Sequence, residues 1–163
     1  MSTTRVRQYI DAPPSAVYRA LLDPTAVQRW MVPDEMSSTV HEFDARPGGT
    51  FRISLTYDDP TRAGKTSGST DSFGGRFARL VPDREAVQSI VFESDDAARR
   101  TEMTVSYLID PSGSGAMVTG IHENLPASVD PAQNELGWRM SLAKLAALVE
   151  NSRHNDGGDD PLR

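Results

Sequence analysis

The feature that most constrains this chain is a double switch in its hydrophobic period. From just beyond Met31 to Asn124, a stretch of about ninety residues, bulky apolar and polar side chains alternate one by one, the spacing of half-buried β-strands. On either side the spacing is three and four, the period of a helix face. Ahead of the alternating region, Arg5 to Asp11 reads as one strand carrying Val6, Tyr9 and Ile10, and Ala12-Pro13-Pro14 stops it. Val17, Ala20 and Leu21 then predict a short helix, broken at Asp23-Pro24, where Asp23 caps a second one bearing Val27 and Trp30. Behind the alternating region, Asp130 is a cap and Pro131 a first-turn residue. They open one amphipathic helix of about twenty residues, with Trp138, Leu142, Leu145 and Val149 on a single face.

Turn residues divide the alternating region into six strands. Val40 to Asp44 is followed by the turn Arg46-Pro47-Gly48-Gly49, and the next strand carries Phe51, Ile53, Leu55 and Tyr57. Asp58 to Thr70 has no large apolar residue and reads as a mobile hairpin loop. Strands then run over Ser72 to Val81, Ala86 to Phe92, Met103 to Ile109 and Ala116 to Asn124. Strand, two short helices, six strands and one long helix make an α+β domain with a seven-stranded curved antiparallel sheet, because nearly all pairings join sequence neighbours. Only the last helix is long enough to cover the buried face. A curved sheet around a single helix leaves a cavity unless Trp138, Phe51 and Phe77 fill it. Residues 1–152 read as one domain and 153–163 as a disordered polar tail.

Composition removes several function classes. A formal charge of -6 without basic clusters disfavours nucleic acid. The absence of cysteine excludes disulfides, thiolate catalysis and cysteine metal sites, and fits a reducing compartment. No apolar run reaches the roughly 18 residues of a membrane span, and MSTTRVRQYIDAPP lacks the apolar core of a signal peptide, so the expectation is a cytoplasmic chain without membrane insertion. The three histidines, His41, His122 and His154, show no metal-ligand spacing, and neither a metal nor another cofactor is expected. Ala63-Gly64-Lys65-Thr66 lacks the glycine a phosphate loop needs, and no G-x-S-x-G elbow occurs.

The candidate site residues are those a cavity between sheet and helix would meet. His122 follows Val118 and Gly120 on one face of the last strand; a histidine in an apolar pocket orients ligands or moves protons, and one that bonds a carbonyl or faces water does neither. His41 poses the same alternative. His122 and Glu123 point to opposite faces and make a poor dyad. Tyr57, Tyr107 and Thr119 are candidate pocket hydroxyls. Trp30 and Met36 bracket a segment suited to a lid, and Trp30 equally suits a packing anchor. Gly137 costs a helix about 1 kcal/mol against alanine, which points to a close approach near Ser141. Trp138 serves as both core and pocket wall, with Phe51, Ile53 and Phe77 lining the opposite side.

Four segments together resemble a known family: IDAPPSAVYRALLDPTAVQRWMVP, DARPGGTFRISL, GRFARLVPDREAVQSIVFES and GWRMSLAKLAALVE. In this order and spacing they are similar to the SRPBCC, or START/Bet v 1-like, helix-grip superfamily. Within it they resemble the family named after the C-terminal domain of the activator of heat shock protein 90 ATPase. The family often shows a longer Gly-rich segment, and an acidic or polar residue near the end of the last strand, where His122-Glu123-Asn124 stands here. The resemblance implies a seven-stranded sheet gripping the long helix, with a pocket between them. Relatives in the wider superfamily bind lipids, hormones and polyketides, and some are cyclases or hydrolases. The leading expectation is a module that binds a small hydrophobic molecule in a pocket of roughly 300–1,000 Å³. A cyclase- or hydrolase-type enzyme using His122 comes second, and a chaperone-associated interaction domain, by family analogy alone, third. A homodimer is left open.

Overall fold

The computed structural model describes residues 2–64 and 66–158. The chain begins with β1 (Ser2–Ile10), α1 (Pro14–Leu21) and α2 (Pro24–Trp30). It continues through β2 (Met36–Phe43), β3 (Thr50–Tyr57), β4 (Thr70–Val81), β5 (Glu85–Phe92), β6 (Met103–Ser112) and β7 (Gly115–Leu125), and closes with α3 (Pro131–Gly158). A single 3-10 turn over Ala97–Arg99 between β5 and β6 is the one element the periodicity does not show, since a turn this short leaves no hydrophobic repeat. The capping residues act as expected. Asp23 Oδ1 accepts from Thr25 N–H at 3.0 Å and Asp130 Oδ1 from Ala132 N–H at 2.9 Å, each with proline in the first turn. At its far end α3 runs to Gly158, past Arg153, where the polar tail was expected to begin. No proline interrupts the backbone there, and extending a formed helix costs little. The remainder of the expected tail, 159–163, lies outside the described residues.

The seven strands form one antiparallel sheet in the order β1-β7-β6-β5-β4-β3-β2. Sequence neighbours pair throughout, except that β1 crosses to pair with β7. Three register shifts interrupt the sheet, one between β1 and β7, where Ser2 faces Leu125 and Thr4 faces His122, and two from bulges in β2 and β4. In β2 and β3, Val40 faces Ile53 and Glu42 faces Arg52, so His41 is an extra residue; in β4 and β5, Phe77 faces Gln88 and Arg79 faces Val87, leaving Ala78 extra. The concave side so formed holds α3, which packs along β1 and against α1 and α2. Its buried face comprises Ser141, Leu142, Leu145, Ala146 and Val149. Gly120 of β7 makes this docking close: a methyl in place of its hydrogen would lie 3.4 Å from Leu142 Cδ1.

The core fills only part of the concavity. Phe43, Phe51 and Phe77 stack at centroid separations of 5.3–6.4 Å near the β2–β3 turn. Trp30 is wholly buried; its indole N–H donates to the Ala20 carbonyl at 3.0 Å and its ring meets Tyr107 edge-on at 5.9 Å. No helix among the described residues is long and apolar enough to cross a membrane.

Candidate functional site

Beyond Tyr107 the space between α3 and the concave face is open, a cleft of about 590 Å³. Its sheet wall comes from alternate residues of adjacent strands: Leu55 and Tyr57 of β3, Asp71 and Phe73 of β4, Gln88, Ile90 and Phe92 of β5, Val105 and Tyr107 of β6, and His122 of β7. The helix wall is the first turns of α3, and the rim is Met31 to Met36 on one side and Arg62 on the other. Lys144 ties the segment before β2 to α3. Lys144 Nζ donates to the Val32 carbonyl at 2.6 Å and lies 3.1 Å from the Asp34 carboxylate. On the other side Arg62 stacks over the Tyr57 ring at 4.2 Å and reaches Glu35 at 3.3 Å.

His122 is the polar centre of the sheet–helix junction. Alternation turns Val118, Gly120 and His122 inward and leaves Glu123 exposed, so the histidine faces the cleft and the two do not pair. Its Nδ1 accepts from the Trp138 indole N–H at 3.1 Å and from the Asn134 amide at 3.2 Å. Because an indole nitrogen only donates, Nδ1 carries no proton, and the neutral ring holds its hydrogen on Nε2, directed at Met103 Sδ 3.2 Å away. Burial pushes the imidazole pKa down to about 4 from 6.5. The ring is therefore uncharged at neutral pH and both nitrogens have partners. It fastens α3 to β7 and β6, rather than standing free as an acid or base.

Tyr107 presents the opposite situation. Its ring packs between Trp30 and Trp138, at 5.9 and 5.7 Å, and is 1% exposed. The residue lines the cleft, and its hydroxyl is buried with no hydrogen-bond partner among the described residues. Burial raises its pKa, so it remains a protonated donor.

The structure brings Met36, Tyr57, Tyr107, His122, Gly137, Trp138 and Ser141 together around the cleft. It puts the other candidates elsewhere, each for a physical reason. The bulge at His41 turns that residue outward, where its Nε2 meets Ser54 Oγ at 2.8 Å, and restores Phe43 to the inner face. Phe51, Ile53 and Phe77 face inward but belong to the filled end of the concavity. Trp30 is the packing anchor, Gly120 lies beneath Leu142, and Thr119 points to the face opposite Gly120. Met36 opens β2 instead of ending a loop. Nor does Gly137 mark a tight approach: an added methyl would sit 3.6 Å from Pro33 Cγ, an ordinary contact.

Sequence reasoning missed Asp71, Gln88 and Asn134. A signal existed for Gln88, which is 3% exposed and in phase with Ala86, Ile90 and Phe92, a lone amide in an apolar stripe. Asp71 likewise keeps phase with Phe73. Asn134 stands one helical turn before Trp138 and carried no such mark. Among the described residues no group of three histidine, aspartate or glutamate side chains is placed to hold a metal.

Comparison with known proteins agrees with this architecture. A crystal structure of a Chromobacterium violaceum protein superposes with a TM-score of 0.81 at 36% identity, covering 91% of this chain and 96% of that one. A Silicibacter pomeroyi protein named for the same activator family gives 0.76 at 19%, covering 93% and 99%. The solution structure of an Aeromonas hydrophila protein, also of that name, gives 0.68 at 21%, covering 93% and 94%. No curated protein matches the chain. The family model described as Activator of Hsp90 ATPase homolog 1-like protein matches residues 11–150, and with the helix-grip fold this shows that the chain belongs to that family, a branch of the Bet v 1-like SRPBCC proteins.

Proposed function

We propose that this protein binds a small, largely apolar molecule in the cleft between the curved sheet and α3. The observation that carries the reading is the cleft itself: about 590 Å³ left open inside an otherwise packed domain, walled by aromatic and aliphatic side chains with a few inward-facing polar groups. That is the size and lining of ligand sites, where apolar walls supply affinity and sparse polar groups fix orientation. The cyclase or hydrolase reading relied on His122 as the acid–base group, and a ring held neutral with both nitrogens engaged supports it less well than binding. A cytoplasmic location fits a chain without cysteine. Native mass spectrometry of gently purified protein, followed by denaturing extraction, tests the reading. A specific apolar adduct near one equivalent is expected. Absence of any adduct, together with no thermal shift across lipids, polyketides and small aromatics, would count against it.

A further inference from the structure

The inner end of the cleft has a distinct chemical character. Gln88, Val105 and His122 are direct register partners across β5, β6 and β7, so they stand in one row at the strand spacing of about 4.8 Å. Tyr107 stands on the same face two residues along β6. Its hydroxyl is buried without a partner among the described residues, and the largely buried Gln88 lines the cleft beside it. His122 adds only its Nε2–H, already aimed at the weakly accepting Met103 sulfur. The row therefore offers O–H and N–H donors on uncharged side chains, and no cation.

Charge elsewhere in the cleft points the same way. Asp34 and Glu35 at its rim are paired with Lys144 and Arg62, and Arg62, its only cationic lining residue among those described, stacks on Tyr57 far from the row. An anion pushed inward would leave water and find no counter-charge at the inner end among the described residues, which is far costlier than burying a neutral polar group. A neutral oxygen, by contrast, satisfies the waiting donor.

We propose that the inner end of the cleft receives the uncharged oxygen of a largely apolar molecule, a ketone, ester or amide carbonyl that accepts a hydrogen bond from Tyr107 Oη with the Gln88 amide beside it, and that molecules of the same shape ending in a carboxylate are rejected. The inference rests on the ligand-binding reading above and narrows it to a chemical class. It also sets the ligand's direction: oxygen inward, hydrocarbon toward the rim formed by Met36, Leu136 and Met140.

The test uses the full chain and three probes of similar size: 2-nonanone, nonanoate and 2-methyl-1-nonene, in which a methylene replaces the ketone oxygen. Binding is followed by NMR titration, and the carbonyl stretch of isotope-labelled 2-nonanone by infrared difference spectroscopy. The ketone is expected to bind at least about tenfold more tightly than nonanoate, and Tyr107→Phe to weaken the ketone about five- to tenfold while changing the alkene less than about twofold. The bound carbonyl stretch should be red-shifted in the wild type, and that shift lost in Y107F. Nonanoate binding as tightly as the ketone, or a ketone affinity and stretch untouched by Tyr107→Phe, overturns the inference and leaves the cleft as a binding site. Failure of all three probes to perturb the resonances of cleft residues removes the cleft reading and this inference with it. The ketone-to-carboxylate comparison is made on the wild-type protein, so it stands even if the variant folds poorly.

Discussion

Acidification should loosen α3 from the sheet through one imidazole. His122 accepts the Trp138 indole N–H on Nδ1, and burial holds its pKa at about 4 against 6.5 for an exposed histidine. As pH falls through this interval the unfolded chain takes up a proton that the folded chain refuses, so the unfolded state gains free energy and stability declines. Above pH 6.5 the cost is absent, and below about pH 4 it levels off because the folded ring is then protonated as well. Linkage over the whole interval amounts to about 3 kcal/mol, of which about 2 kcal/mol falls between pH 7 and pH 5. Carboxylates titrate in the same range, so the quantity to measure is a difference. Urea unfolding of the wild type and of His122→Gln, which cannot titrate yet offers an oxygen to Trp138, should be compared at pH 7, 6 and 5. The stability advantage of the wild type over the variant should shrink by about 2 kcal/mol across that range. Parallel stability profiles would refute the assignment of His122 as a neutral, buried fastener, as would an NMR titration of its ring near pH 6.5.

Three further outcomes follow from the packing. Tyr107→Phe should raise the stability of the unliganded protein by about 1 kcal/mol in urea unfolding, because it deletes a buried hydroxyl without a partner; a loss of that size would show that the hydroxyl is bonded. Gly137→Ala should stabilise by up to about 1 kcal/mol, read as a higher midpoint in thermal unfolding, since the helix gains propensity and the new methyl meets Pro33 at ordinary contact distance. Trp30→Ala should cost about 3–5 kcal/mol by denaturant titration, leaving a cavity beside Tyr107; a cost below about 1 kcal/mol would remove Trp30 from the core.

The fold was legible because each local signal in the chain agrees with the others. Alternation announced the sheet and the prolines behind Asp23 and Asp130 opened α2 and α3, whereas β7 carries Val118 on one face and Met117 and Ile121 on the other, so its inward face emerged only from the fold. The site was legible only in part, because periodicity tells which face a residue occupies and not where along a curved sheet it lies. Phe51 and Phe73 both face inward, yet one fills the aromatic cluster and the other walls the cleft. A single inserted residue decided His41: the bulge that ejects it has no signature in the HEF tripeptide. Gln88 and Asp71 were overlooked for a different reason. A polar side chain in phase with an apolar stripe looks like a lapse in the pattern until the cavity that it borders is known.

The pairing of the first strand with the last carries a consequence for how the chain becomes a protein. Val6 lies opposite Gly120, so β1 is made first and waits for nearly the whole chain before its partner exists. Strands β2 to β7, each beside its sequence neighbour, pair through short loops, whereas the β1–β7 pairing closes the longest loop in the sheet and bears its largest loop-closure cost. Because α3 packs along β1, the groove that the helix roofs takes its native width only once β1 has paired with β7.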